Sequence, residues 1–283
     1  MPSTLDIRRR IRSVKSTQQI TKAMKMVAAA KLRRAQDRIV SARPYSGAIS
    51  QILASVASRV DPDQHPLLAE RPEQRVLLLV VTGDKGLAGA FNGNILKTTL
   101  NAIRDRGWTL VSVIPIGRKA NEFFRRRSIP VRHQAVNVFQ ALSLETAGSI
   151  SKMAVDDFIE DQIDAVYAVY NEFRSVISQV VHVEKLLPLP RTKQAEPTIE
   201  YLYEPSPEQI LRDLLPKHLE FQIYRILLDS AAAEQGARMT AMEAATKNAA
   251  DMIDSLTLRY NRIRQAAITK EIIEIVSGAQ ALE

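Results

Sequence analysis

The chain has no cysteine, which excludes disulfides, thiolate catalysis and cysteine-based zinc sites and is compatible with a reducing compartment. Aromatic residues make up only 5% of its 283 residues and glycine occurs ten times, so a large part of the chain is expected to be extended helix, which needs few bulky core residues. No apolar run reaches the roughly 18 residues of a membrane span. The start, MPSTLDIRRRIRS, has basic residues but no apolar stretch behind them and no transit-like leader, and reads as a mature cytosolic N-terminus. The four histidines (His65, His133, His182, His218) are far apart and lack metal-ligand spacing. No nucleophile-elbow serine or carboxylate pair is recognisable. No catalytic residue, metal ligand or cofactor is therefore assigned.

What is present is an ordinary globular composition, 46% hydrophobic and 25% charged, with its charge unevenly placed. Residues 1–43 hold twelve Lys/Arg against Asp6 and Asp37, whereas the other 240 residues hold twenty-seven against twenty-nine acids. The net charge of +8 is thus one basic helix, and it implies an acidic partner: nucleic acid, anionic lipid or an acidic protein surface. The first aromatic is Tyr45, so the basic segment offers no ring for base stacking, which argues against nucleic acid.

Stepping alternately by four and three from Ile7 passes through Ile11, Val14, Gln18, Thr21, Lys25, Ala28, Leu32, Ala35, Ile39, Ala42, Ser46, Ile49, Leu53, Val56 and Val60. Twelve of these sixteen are apolar, a heptad seam of the coiled-coil kind. It is expected to slip between Gln18 and Lys25, where Ile20, Ala23, Met24 and Val27 carry the apolar character. Ser3 with Asp6 makes a capping-box start, and Pro44 is expected to kink or interrupt the helix. A second seam runs Met242, Ala245, Ala249, Met252, Leu256, Arg259, Ile263, Ala266, Lys270, Ile273, preceded by a helix start at Pro205-Ser206-Pro207-Glu208, a kink at Pro216 and a stripe at Leu219, Ile223 and Ile226. Alanines and Gly236 crowd residues 229–251, leaving the helix thin enough for close approach of another backbone. At about 1.5 Å per residue the two helices span roughly 80 and 100 Å.

Between them the period changes. Arg75–Thr82, Thr109–Ile116 and Asp164–Tyr170 are short apolar runs of buried-strand type, with Val176–Leu187 as one more. Helices are expected over Asn94–Arg106, Arg118–Arg127 and Leu144–Ile163, the last capped by Ser143. The alternation predicts a mostly parallel α/β sheet. The expected fold is an α/β domain plus a long antiparallel coiled coil formed by the N- and C-terminal helices, divided as 1–60, 61–205 and 206–283. Thr82-Gly-Asp-Lys-Gly-Leu-Ala-Gly89 has the place of a phosphate-binding loop but neither known glycine spacing, and Lys85 is followed by Gly86 rather than Ser or Thr. A tight turn serving the fold or a partner is the preferred reading.

Ile7-Arg-Arg-Arg-Ile-Arg-Ser-Val-Lys15, then Thr17-Gln-Gln-Ile-Thr-Lys-Ala-Met-Lys-Met-Val-Ala-Ala-Ala-Lys31, closely resembles the gamma subunits of bacterial F-type ATP synthases. Ala237-Arg-Met-Thr-Ala-Met-Glu-Ala-Ala-Thr-Lys-Asn248 and the stretch Tyr260–Gly278 are similar to the C-terminal signature of that family, and the glycine turn running into Phe91-Asn92, with Tyr201-Leu-Tyr-Glu-Pro205, to its middle motifs. The resemblance implies a central rotor stalk that couples proton-driven rotation of the c-ring to conformational changes at catalytic sites on beta subunits, with no catalysis of its own. It implies three alpha and three beta subunits, an epsilon subunit and the membrane c-ring as partners, and a peripheral place on the cytoplasmic face of the bacterial inner membrane. Carried over by position, Lys22 and Met24 would face an acidic beta loop, Arg238, Arg264, Gln265, Thr269 and Glu271 would contact the ring, and Tyr201, Tyr203 and Glu204 would lie near epsilon and the c-ring. The alternative is a basic coiled-coil adaptor for acidic protein or nucleic acid.

Overall fold

The structure is a computed structural model that describes residues 3–57, 65–127, 129–189 and 206–280. Its elements run α1 (Thr4–Ala57), β1 (Arg75–Val81), α2 (Phe91–Asp105), β2 (Leu110–Ile116), α3 (Arg118–Phe124), α4 (Leu144–Ile159), β3 (Ala165–Phe173), β4 (Gln179–Leu187) and α5 (Pro207–Gln280). Two compact units emerge: residues 1–27 with 239–283, and residues 28–238.

In the larger unit the sheet order is β2-β1-β3-β4. β1 runs parallel to both β2 and β3, and β4 closes the edge antiparallel to β3. The period-two alternation of a strand sorts β1 onto two cores. Leu77, Leu79 and Val81 join one with Ile150, Ala154 and Phe158 of α4 and with Leu211, Leu215, Leu219, Ile223, Ile226, Leu227 and Leu228 of α5. Val76, Leu78 and Val80 join the other with Phe91 and Ile95 of α2, Ala120 and Phe124 of α3, and Ala233 and Ala237 of α5. Both faces are covered, so the strands read as continuous apolar runs rather than alternating ones.

The helix starts are chemically specified. Asp6 N donates to Ser3 Oγ at 3.2 Å and Ser3 N to Asp6 Oδ2 at 3.1 Å, a reciprocal capping box. Thr146 N donates to Ser143 Oγ at 3.2 Å and Gln209 N to Ser206 Oγ at 3.3 Å. Neither proline breaks its helix: Pro44 lies inside α1 and Pro216 inside α5. Each removes one amide donor, and buried residues flank both gaps, Ala35 and Ile49 in α1 and Leu215 and Leu219 in α5.

The N-terminal seam also differs from expectation. It does not slip at Gln18–Lys25, because Ile20 and Val27 point to solvent and Thr21 is buried. The polar seam residues find partners on α5 within the smaller unit: Thr21 Oγ1 lies 2.7 Å from Thr246 Oγ1, and Lys25 Nζ is 2.7 Å from Glu243 Oε1. The numbers rise on one helix as they fall on the other, so the pair is antiparallel. On α5 the seam keeps Met242, Ala249, Leu256 and Ile263 as expected, but Thr246, Ile253 and Tyr260 join it between them, while Met252 and Arg259 are exposed.

The parallel strands are stapled at their starts by Asp164, whose carboxylate accepts from the amides of Gln74 (3.2 Å) and Arg75 (2.7 Å) and from Arg75 Nη2 (2.6 Å). The Arg75 guanidinium, helped by the two amides, holds this carboxyl below the usual carboxylate range. A depressed native pKa contributes stability above the unfolded value of about 3.9, lost as pH falls through the native one. Asp164→Asn is therefore expected to cost about 1–3 kcal/mol at neutral pH, with the gap to the parent narrowing below about pH 4. Urea unfolding of both chains from pH 7 to 2 checks this, and a gap independent of pH contradicts it.

Candidate partner-binding surfaces

Three surfaces carry the chemistry. The first is the end of α5. In the smaller unit α1 begins at Thr4, and its antiparallel register with α5 exhausts it near Ile263, the last half-buried residue. Residues 264–277 are all exposed. They include Ile268, Ile272, Ile273, Ile275 and Val276 as well as Arg264, Gln265, Thr269 and Glu271. A helix with apolar residues spread around a bare surface is a binding element rather than a solvated one. Lys22, exposed, and Met24, half-buried, lie in the same unit on α1.

The second surface lies in the larger unit, where a cleft of about 450 Å³ is lined by Lys31, Arg34 and Arg38 of α1, Lys85 of the glycine turn and Arg238 of α5. Among the described residues no carboxylate pairs with the first four. Their spacing of three and four puts the α1 cations on one helix face, a signal present in the sequence but not singled out from the general basicity of the helix.

The glycine turn is the third. Gly83 N donates to Asn92 Oδ1 at 2.9 Å, and Asp84 Oδ1 accepts from Arg118 N and Asn137 N, each at 3.0 Å. Asp84 thus occupies the N-terminus of α3, where an incoming phosphate would bind. Glu234 presses on the turn from the other side, so that a Cβ on Gly83 would fall 2.7 Å from Glu234 Oε1. A carboxylate at that distance repels a phosphate, so the geometry is that of a joint.

Arg238 stands apart from the other predicted contacts. Its side chain is only 11% exposed and pairs with Glu234 at 2.6 Å, with a second bond to Gly86 O at 3.2 Å. Sequence gave no hint of Glu234 here, because its contact with Gly83 joins residues far apart in the chain. Tyr201, Tyr203 and Glu204 lie outside the described residues. Among the described residues no group of metal-ligating side chains occurs, and no helix is long and apolar enough to cross a membrane.

In the larger unit, small residues of α5 admit the expected close approach of another backbone. Ala232 is packed with Leu32 and Ala35, Ala233 and Ala237 belong to the sheet core, and a Cβ on Gly236 would lie 3.3 Å from Phe173 and 3.6 Å from Val176 O. The backbone that approaches closely there is the chain's own β3–β4 hairpin.

A family model described as ATP synthase matches residues 3–282. A curated relative, the ATP synthase gamma chain of Solibacter usitatus (strain Ellin6076), is 52% identical over 287 residues that cover all of both chains. The chain belongs to the ATP synthase gamma-chain family. The gamma chain of Anaeromyxobacter sp. (strain Fw109-5) is 50% identical, again over the whole of both chains. Among solved structures, the central stalk and c-ring of Tetrahymena thermophila mitochondrial ATP synthase contains a chain 27% identical, with TM-score 0.63, covering 80% of this chain and 99% of that one. A chain of Euglena gracilis mitochondrial ATP synthase, 20% identical, has TM-score 0.72 over 99% of this chain and 94% of its own and shows the shared fold. Family membership lends no support to a free-standing basic adaptor.

Because Ala232 is filled on all sides by the chain itself, Ala232→Leu is expected to destabilise the fold by about 1–3 kcal/mol through overpacking. Thermal unfolding of the purified chain measures it. An unchanged midpoint would mean that the site is not closed by the hairpin.

Proposed function

We propose that the chain is the central rotor stalk of an F-type ATP synthase, coupling proton-driven rotation of a c-ring to conformational changes at the catalytic sites of beta subunits. In this reading residues 1–60 and 206–283 form the shaft and 61–205 the globular part. Three alpha and three beta subunits surround the shaft, and epsilon and the c-ring hold the other end. The chain is non-catalytic and peripheral, on the cytoplasmic face of a bacterial inner membrane.

The observation that supports this reading most is the bare end of α5, where a single helix carries exposed isoleucines together with Arg264, Gln265, Thr269 and Glu271. Isolated helices of that length are marginal in water and gain their stability from packing, so a surrounding sleeve of protein is the natural solvent for it. The basic α1 and the cleft at Lys31, Arg34 and Arg38 suit an acidic loop of a beta subunit, since complementary charge favours association. Tyr201, Tyr203 and Glu204 are assigned to the epsilon and c-ring side on family resemblance alone, and Lys22 and Met24 to the beta loop on the same ground.

Mixing the purified chain with alpha and beta subunits tests the reading. A complex with one stalk chain per three alpha and three beta subunits is expected, with MgATP hydrolysis on the order of tenfold or more above the unmixed subunits, equivalent to about 1.4 kcal/mol or more in barrier. The chain alone is expected neither to bind nor to hydrolyse MgATP. Absence of a complex, or turnover by the isolated chain, overturns it.

A further inference from the structure

The turn between β1 and α2 is anchored in two ways. Its first half is tied to the sheet layer: Gly83 N and Lys85 O to the Asn92 amide at 2.9 and 3.3 Å, Gly83 O to Lys119 N at 3.2 Å, and Asp84 to the amides of Arg118 and Asn137. Its second half leans on α5. Arg238 Nη2 donates to Gly86 O at 3.2 Å and to Glu234 Oε1 at 2.6 Å. Leu87 then turns through a φ of 62° with its side chain 65% exposed, a conformation that an L-residue keeps only where its surroundings enforce it.

The Glu234–Arg238 pair is nearly buried, with side chains 7% and 11% exposed. Burying an ion pair seldom adds net stability over apolar residues of similar volume, and the best attested use of such a pair is to select one arrangement. Two further facts indicate what is selected. In its observed rotamer Glu234 leaves no room for a Cβ on Gly83, which would fall 2.7 Å from its Oε1, and the guanidinium of its partner Arg238 reaches the tip of the turn at Gly86. Between the two clasped glycines, Lys85 lines the cleft with Lys31, Arg34 and Arg38. The same lining holds two carboxylates, Asp84 and Glu234, but Asp84 is taken up by the amides of Arg118 and Asn137 and Glu234 by Arg238, so the four cations keep a positive excess that suits an anionic occupant. Phe139, Leu142 and Leu228 form part of the same lining, so the occupant carries apolar groups between its acids, as a protein segment does.

We propose that Glu234 and Arg238 are positioning residues, whose clasp on Gly83 and Gly86 fixes the glycine turn against α5 so that Lys85 joins Lys31, Arg34 and Arg38 in one site for an acidic segment of a partner subunit. Arg238 thereby acts on the ring through Lys85 instead of touching it. The inference rests on the stalk reading for the identity of the partner, and on this chain's own geometry for the clasp.

Because the chain has no cysteine, Leu87→Cys provides a single site for a nitroxide label on the full-length protein. The parent is expected to show a slow-tumbling spectrum, and Glu234→Gln or Arg238→Met a fast component, while a control label at Lys97→Cys on exposed α2 is unchanged. In the reconstituted complex with alpha and beta subunits, Lys85→Gln is expected to lower MgATP turnover by about threefold in the parent but by less than about 1.5-fold in either clasp variant, since mutations that act through one element do not add. Arg238→Lys, which keeps the charge but not the fork that spans Glu234 and Gly86, gives an intermediate spectrum. Equal costs of Lys85→Gln in parent and clasp variants overturn the inference. So does a parent label as mobile as in the variants, or clasp variants that fail to assemble even as Arg238→Lys, which would make the pair a requirement of folding. Failure of the parent to form any complex strikes the stalk reading instead, and the label spectra still decide whether the clasp orders the turn.

Discussion

Residues 28–238 depend on one constraint: α5 has to seal both faces of the sheet. Its earlier turns contribute seven large aliphatic side chains, Leu211 to Leu228, to the core on one face, each worth about 1.5–3 kcal/mol when buried. Its later turns reach the opposite face with Ala233 and Ala237, and there the sheet comes so close that Gly236 lies against Phe173 and Gly83 against Glu234. Large residues where side chains fill space and small ones where backbones meet are two answers to the same packing density. The polar ties are secondary in energy. Arg225 grips Glu184 through Nη2 at 2.7 and 2.9 Å and Tyr170 donates to the same carboxylate at 2.6 Å, but with Arg225 and Glu184 partly exposed these bonds fix the rotation of α5 against β3 and β4 more than they stabilise it.

The smaller unit is built differently. Its helices do not maximise apolar burial, since Ile20 and Val27 face solvent while Thr21 and Lys25 occupy the seam. A hydroxyl pair and an ion pair across a seam contribute less than apolar contacts but tolerate only one register, because a shift of one turn would leave Thr21 and Lys25 facing the wrong residues. The apolar side chains displaced outward are then available to something other than this chain. In a stalk that must keep its register while its outer surface is handled by a ring, that division of labour is the one expected.

Much of this was legible in the sequence. The strands β1 and β2, the helix starts at Ser3, Ser143 and Ser206, and the antiparallel pairing of the two ends were all marked by local chemistry, either periodicity or a capping side chain. Where the reading failed, the deciding contact was remote. The supposed slip at Gln18–Lys25 followed hydrophobicity along one helix, and only Thr246 and Glu243 on the other explain why polar residues stay inside. The phase of α5 at Met252 is decided in the same way, since Ile253 is equally apolar and neighbouring. An interruption at Pro44 follows from a local rule that counts a lost hydrogen bond and does not weigh the packed residues on either side, and α1 runs through it unbroken.

The glycine turn marks the limit of motif reasoning most sharply. A strand, a glycine-rich turn and a helix can present free amides to a phosphate, or the amides can be consumed by the protein. Spacing argued against a phosphate loop without saying what the turn was for. The answer lies in which groups meet the amides: Asn92 and Asp84 take those of Gly83 and of the α3 start, and Glu234 brings a negative charge to the place a phosphate would need. Such a carboxylate can be buried only if a cation is delivered with it, and Arg238, one turn further along α5 on the same face, is in place to do so. Gly83 is therefore the glycine that the approach of α5 calls for, whereas Gly89 answers to its own positive φ.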